Sequence, residues 1–179
     1  MFTIAMIMMF CLFGGDKNDT ILYGETYSIS MIKGWELGTT EKMMGKPARR
    51  KIAGYDASIT LRTHPDKNVD CSIEITEYLK CLDYLSIQKR DSARFASLEL
   101  YESAKWNKRK ELGCECYVDL VSVPQQHIET GEITVLRERV WYKAGRNNVY
   151  VIRLQTTSAD SWRTYLPEIE KIVPSLKEK

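Results

Sequence analysis

The chain has 179 residues, 44% of them hydrophobic and 28% charged, a balance that allows one compact globular domain and leaves no room for a second large one. Its 26 basic and 24 acidic residues leave a net charge of +2, too weak a global field to gather nucleic acid. No internal repeat at a period of about 20 to 50 residues and no low-complexity tract is evident.

From Met1 to Phe13 the chain is apolar almost throughout, and Gly14-Gly15-Asp16-Lys17-Asn18-Asp19 then turns polar. An apolar run of 13 residues is short of the roughly 20 needed to span hydrocarbon and reads as the core of a secretory signal. Cys11 sits where this run meets a small-residue linker and is the candidate for lipid attachment. Against it, Phe10 stands where lipoprotein signals carry a small residue, and no basic residue precedes the apolar run. The expected organisation is a signal or lipid-anchor segment with a short linker over residues 1–20 and a single domain over 21–179. That organisation places the protein in the cell envelope or periplasm, with membrane association through its N-terminus.

A strand is predicted over 25–30, where Tyr27 and Ile29 alternate, and Lys33-Gly34-Trp35 turns it onward. The segment from Gly38 to Gly54 is the one dense positive cluster, with Lys42, Lys46, Arg49, Arg50 and Lys51 beside Met43 and Met44. It is read as a basic loop and as the candidate partner-binding surface, for an acidic protein face or anionic head groups. Residues 57–61 and 71–76 alternate as a strand pair joined by Thr63-His64-Pro65-Asp66-Lys67-Asn68. A helix is predicted over 77–90 on the stripe Tyr78, Cys81, Leu82 and Leu85. Strands follow over 95–101 and 113–123, and residues 124–131 form a turn.

Runs from Ile133 to Trp141 and from Val149 to Gln155 make a hairpin across Ala144-Gly145-Arg146-Asn147-Asn148. The chain closes on an amphipathic helix with Ser158 or Asp160 as its cap and Trp162, Leu166, Ile169, Ile172 and Val173 on its inner face. Pro167 removes one helix hydrogen bond and predicts a kink or break near Tyr165-Leu166. Clustered strands with few helices indicate an α+β fold, with helices packed on a central, mainly antiparallel sheet.

Beyond Cys11, the cysteines are Cys71, Cys81, Cys114 and Cys116, an even number that is compatible with a disulfide. Period two sends Cys71, Cys114 and Cys116 inward from strands, and Cys81 faces the core from the predicted helix, which makes one helix-to-sheet disulfide the candidate pairing. Buried thiols are the alternative; the Cys-x-Cys spacing is poor for zinc. The Asp66-x-Asn68-x-Asp70 spacing imitates a calcium loop, but Cys71 stands where such a loop needs glycine, so a polar turn is expected. His64 and His127 lie in polar loops with no orienting partner in sequence and are expected to be exposed. Neither Gly-x-Ser-x-Gly nor a glycine-rich phosphate loop occurs. No catalytic residue, cofactor site or metal site is assigned.

The order of Tyr27 to Trp35, a mid-chain helix, Arg139-Val140-Trp141-Tyr142 paired with Asn148 to Ile152, and a final Tyr165-Leu166-Pro167-Glu168-Ile169 to Leu176 resembles the PsbP/Mog1-like family over roughly Tyr23 to Lys177. The resemblance implies an α/β/α sandwich with a central, mainly antiparallel β-sheet and a C-terminal helix packed on it. It also implies a binding module, because similar proteins include an extrinsic photosystem II subunit, a Ran-binding nuclear protein and bacterial envelope proteins or lipoproteins. With its apolar leader, the chain is most similar to the bacterial envelope group. The expected role is a non-enzymatic binding or assembly module with a protein partner or membrane complex. The alternatives are a structural accessory subunit, or a small-ligand-binding protein or hydrolase.

Overall fold

The structure, a computed structural model, describes residues 19–37, 47–52, 54–66, 68–108 and 113–179. Strand β1 (Asp19–Tyr23) pairs antiparallel with β2 (Tyr27–Ile32), whose buried residues alternate along the strand. This is the period-two signature of a strand with one face on the core. The main sheet contains β3 (Glu36–Leu37), β4 (Ala48–Ile52), β5 (Tyr55–Thr63), β6 (Cys71–Tyr78), β7 (Tyr101–Asn107) and β8 (Cys116–Ser122). A short ribbon of β9 (Gln125–Gln126) and β10 (Ile133–Thr134) intervenes before the sheet's two remaining strands, β11 (Arg137–Ala144) and β12 (Val149–Thr156). The order across the sheet is β3-β5-β6-β12-β11-β8-β7, with β4 also on β5. Every pairing in it is antiparallel.

Helices cover both faces. Helix α1 (Tyr84–Ser97) sets Ile87 and Phe95 against Val118, Leu120, Val140, Tyr142 and Val149. On the opposite face, helix α2 (Ala159–Ile172) brings Ile169 onto Ile73, Ile75, Trp141, Ile152 and Leu154, together with Ile29 of β2. A 3-10 turn (Val173–Ser175) follows α2, and β13 (Lys177–Glu178) joins β2, giving a second sheet of order β1-β2-β13. The chain is thus the expected α/β/α sandwich. Its central strands β6 and β12 are covered on both sides, which explains their near-continuous burial.

Several expectations are corrected. The mid-chain helix spans 84–97 instead of 77–90, because Glu77 and Tyr78 continue β6 and are paired on both flanks, with Ser58 and Ala57 and with Tyr150 and Val149. Lys80 then takes a positive φ of 54°, a conformation that interrupts regular structure. Asp83 caps the helix by accepting from the Ser86 amide at 3.1 Å. The inward stripe is Ile87, Asp91 and Phe95, whereas Leu82 and Leu85 are 70% and 57% exposed. Phe95 is therefore helical, and the strand expected over 95–101 is β7, at 101–107.

The run expected from Ile133 is divided between β10 and β11. Helix α2 is one uninterrupted element through Pro167, so the expected break does not occur; the N–H that Pro167 lacks would have met Arg163 O, and both residues lie on the exposed side of the helix. Ser158 supplies the cap, accepting from the Ser161 amide at 3.1 Å. Strand β1 begins at Asp19, inside the segment assigned to the leader and linker. The rest of that segment, with Cys11, lies outside the described residues.

Candidate functional site

Strand alternation builds the candidate site. In β6 and β12 the side chains of Ile73, Ile75, Ile152 and Leu154 fill the core under α2. The intervening residues Glu74, Thr76, Tyr78 and Arg153 face the α1 side, where Arg90, Asp91 and Arg94 of α1 meet them. Strand β4 supplies the far wall with Arg50 and Lys51. Together they line an open cleft of about 580 Å³, within the size range of small-ligand sites.

The floor is a polar network. Arg90 donates to Asp91 Oδ1 through Nε at 2.9 Å and Nη2 at 2.6 Å, and Nη2 also reaches Tyr78 Oη at 2.8 Å. Its guanidinium stacks 5.4 Å from the Tyr78 ring centroid. The other Asp91 oxygen accepts from Tyr142 Oη at 2.9 Å. Burial, then the Asp91 carboxylate, push the Tyr142 phenol far above its ordinary range, so Tyr142 is a fixed donor. Tyr101 donates to Glu138 Oε2 at 2.6 Å, and burial and Glu138 likewise raise its pKa.

Arg153 differs from its neighbours. Its side chain is 21% exposed, and its contact with a protein carboxylate is an ion pair from Nε to Glu138 Oε1 at 3.9 Å, beyond hydrogen-bond range. Burial opposes its charge, but Glu138 and Glu74 outweigh that and hold its pKa above the usual arginine value. Arg153 Nε and Arg90 Nη1 are both buried and without a hydrogen-bond acceptor among the described residues. Buried polar groups ordinarily find partners, so these two N–H groups are the most unusual polar feature of the cleft.

The expected basic loop is divided by the fold. Arg49, Arg50 and Lys51 lie on β4, a strand laddered to β5, and Lys42 and Lys46 lie outside the described residues. Arg50 sits opposite Ala57, whose side chain belongs to the α1-side core, and so faces the cleft. Arg49 points the other way and pairs with Glu25, Nε to Oε2 at 2.9 Å. One strand therefore offers its charges to two faces.

Cys71 and Cys114 lie in the α2-side core and Cys81 and Cys116 in the α1-side core, all four buried, with Cys71, Cys81 and Cys116 as free thiols. Cys81 precedes α1, so the helix-to-sheet pairing loses its helical member. Burial raises the pKa of both Cys71 and Cys116 to about 11. His64 is half-buried, against expectation: Nδ1 accepts from the Asp66 amide at 3.1 Å, and Nε2 contacts Tyr165 Oη at 2.6 Å. Trp35 packs edge-on against both rings. His127 is exposed. Asp66 Oδ1 accepts from the Asn68 amide at 2.9 Å in a polar Asx turn. Among the described residues no group of three or more His, Cys, Asp or Glu side chains is placed to hold a metal ion.

The cleft's Arg90, Arg94 and Arg153 belong to no sequence motif, and Tyr78 stands out in the sequence only as part of the apparent helical stripe. The available signal is Arg153 itself, a lone cation in the apolar run Val149-Tyr150-Val151-Ile152-Arg153-Leu154 of a central strand. A charge there must be buried with a partner or serve a site.

No family model matches the sequence, and no significant match is found among curated proteins. Solved structures do match. The solution structure of cyanobacterial PsbP from Synechocystis sp. PCC 6803 is 14% identical, with a TM-score of 0.50 over 94% of this chain and 97% of that one. A crystal structure from Bacteroides thetaiotaomicron is 15% identical at a TM-score of 0.47; the match takes in 90% of this chain, which spans about half (48%) of that one. LpqN of Mycobacterium tuberculosis, a protein involved in cell envelope biogenesis, is 12% identical at a TM-score of 0.43 over 89% of each chain. Among the described residues no helix is long and apolar enough to cross a membrane. Likeness at this level of identity is a likeness of fold, and the fold of this chain is PsbP/Mog1-like.

Proposed function

We propose that this chain is a non-enzymatic binding or assembly module of the bacterial cell envelope that engages an acidic partner through the cleft beside α1. The observation that carries the reading is the charge of that cleft: Arg50, Lys51, Arg90, Arg94 and Arg153 line it against Glu74 and Asp91. Arg50, Lys51 and Arg94 are exposed at its rim, where cations steer an acidic surface toward docking. A positively lined cleft with low-dielectric walls concentrates an acidic ligand even when the net charge is small. The envelope address rests on the apolar segment from Met1 to Phe13, read as a secretory signal with Cys11 as its lipid-attachment candidate.

The test is affinity capture of the tagged full-length chain from detergent-solubilised native membranes, read by mass spectrometry. The wild type is expected to retain a partner with an acidic face, and the triple variant R50E/K51E/R94E to lose it. Equal capture by both chains refutes the cleft as the docking surface.

A further inference from the structure

We infer that the floor of the cleft is a binding site for a phosphate monoester dianion, gripped by Arg153 and Arg90. The inference rests on the reading that the cleft is the recognition surface and specifies the chemistry it recognises. Three observations carry it: charge, donor geometry and rigidity.

The cleft and the carboxylate behind it bring five cations together with three anions. Arg90 is matched by Asp91 at 2.6 Å and Arg153 by Glu138 at 3.9 Å. Arg50 and Arg94 then stand against Glu74, and Lys51, which its place on β4 turns with Arg49 to the other face, adds its charge at the cleft's edge, so five less three leaves two positive charges. A single carboxylate carries one negative charge, whereas a phosphate monoester carries between one and a half and two near neutral pH. The charge of the site therefore suits the dianion.

The donors suit it also. Arg153 Nε and Arg90 Nη1 are buried N–H groups without an acceptor among the described residues, and they belong to two guanidinium groups on different elements, β12 and α1. Planar guanidinium forks are suited to phosphate oxygens, and two of them can share three terminal oxygens. The neighbouring carboxylates also serve other donors: Asp91 accepts from Arg90 and Tyr142 on its two oxygens, Glu138 Oε2 from Tyr101, and Glu74 Oε1 from the Thr76 hydroxyl at 3.2 Å. Rigidity follows from the same contacts, because Arg90 is held by Asp91 and Tyr78 and Arg153 rises from a central strand. Little side-chain entropy remains to be lost on binding.

The test uses the full-length chain in an uncharged detergent, titrated with inorganic phosphate and, at matched ionic strength, with acetate. Amide proton–nitrogen correlation spectra should show saturable shifts at Tyr78, Arg90, Val151 and Arg153 with phosphate and not with acetate. Arg153→Gln should weaken the phosphate response on the order of tenfold or more, the usual effect of losing a hydrogen bond to a charged group. Arg90→Gln, at a half-buried position, should do the same if the β12 variant folds poorly. Flotation with phosphatidylcholine vesicles, with and without phosphatidic acid, then separates the two sources of the monoester: binding only with phosphatidic acid assigns a lipid head group, and binding to phosphate alone a soluble ligand. Absence of saturable shifts in the wild type, or an equal response to acetate, overturns the inference. Partner capture that is lost on reversal of the rim charges while phosphate fails to bind would refute the dianion site alone and leave the docking surface standing.

Discussion

Replacing Asp91 with alanine tests the polar floor most sharply. Its side chain is 6% exposed and takes hydrogen bonds from Arg90 on one oxygen and from Tyr142 Oη on the other. The variant strands a phenol whose residue is 0% exposed, at a cost of about 1 to 2 kcal/mol for an unpaired buried hydroxyl. It also leaves Arg90 without its carboxylate; as that side chain is 31% exposed, solvent screening reduces the loss to about 1 kcal/mol. The expected total is about 2 to 3 kcal/mol, a fall in Tm of roughly 5 to 10 °C for a domain of this size. Tyr142→Phe alone should cost about 1 kcal/mol. Because the two residues share one bond, the double variant should be less destabilised than the sum of the singles by about 1 kcal/mol. Urea denaturation of the four proteins supplies the cycle. Additivity within about 0.3 kcal/mol, or an Asp91→Ala cost below about 1 kcal/mol, would show that the network is not formed as described.

Further outcomes are expected. Ile87→Ala, at the buried centre of α1, should destabilise by about 2 to 4 kcal/mol, while Leu85→Ala, on the exposed side, should stay within about 0.5 kcal/mol; the reverse order in a urea melt would restore the helix predicted over 77–90. Burial raises the Glu77 carboxyl above the ordinary glutamate range, so the folded state holds that proton more tightly than the unfolded chain. Its stabilising contribution is complete below the unfolded value and lost as pH rises through the higher folded one. Glu77→Gln, which keeps an acceptor for the Thr26 amide, should therefore be more stable than wild type at about pH 7, an advantage that vanishes below about pH 4; a gain independent of pH would contradict this. Cys71 and Cys116, with thiols raised to about 11, should resist a thiol reagent at neutral pH until the protein is denatured, and rapid native labelling of either would refute their burial.

Legibility in the sequence followed the locality of the forces. The hairpin of β11 and β12 and helix α2 could be read directly, because alternation, a polar turn and the Ser158 cap all act within a few residues. Helix α1 was displaced by seven residues at its start, 77 against 84, because Tyr78, Cys81, Leu82 and Leu85 imitate a helical stripe. What overrides that stripe is non-local: β6 is extended by ladders to β5 and β12 on its two flanks. The basic cluster was legible as composition, but its alternation on β4, which turns Arg50 and Arg49 to opposite faces, depends on a pairing with β5 that charge counting does not reveal. The cleft itself draws Arg50, Arg90 and Arg153 from three distant segments. Only the isolated Arg153 in an apolar strand pointed to it.

The two faces of β4 provide the most direct measurement of the proposed role. Arg50 faces the cleft with Arg94, while Arg49 pairs with Glu25 on the other side. Capture from native membranes should lose the acidic partner for R50E/R94E and retain it for R49E. Retention by R50E/R94E, or an equal loss with R49E, would contradict binding through the cleft.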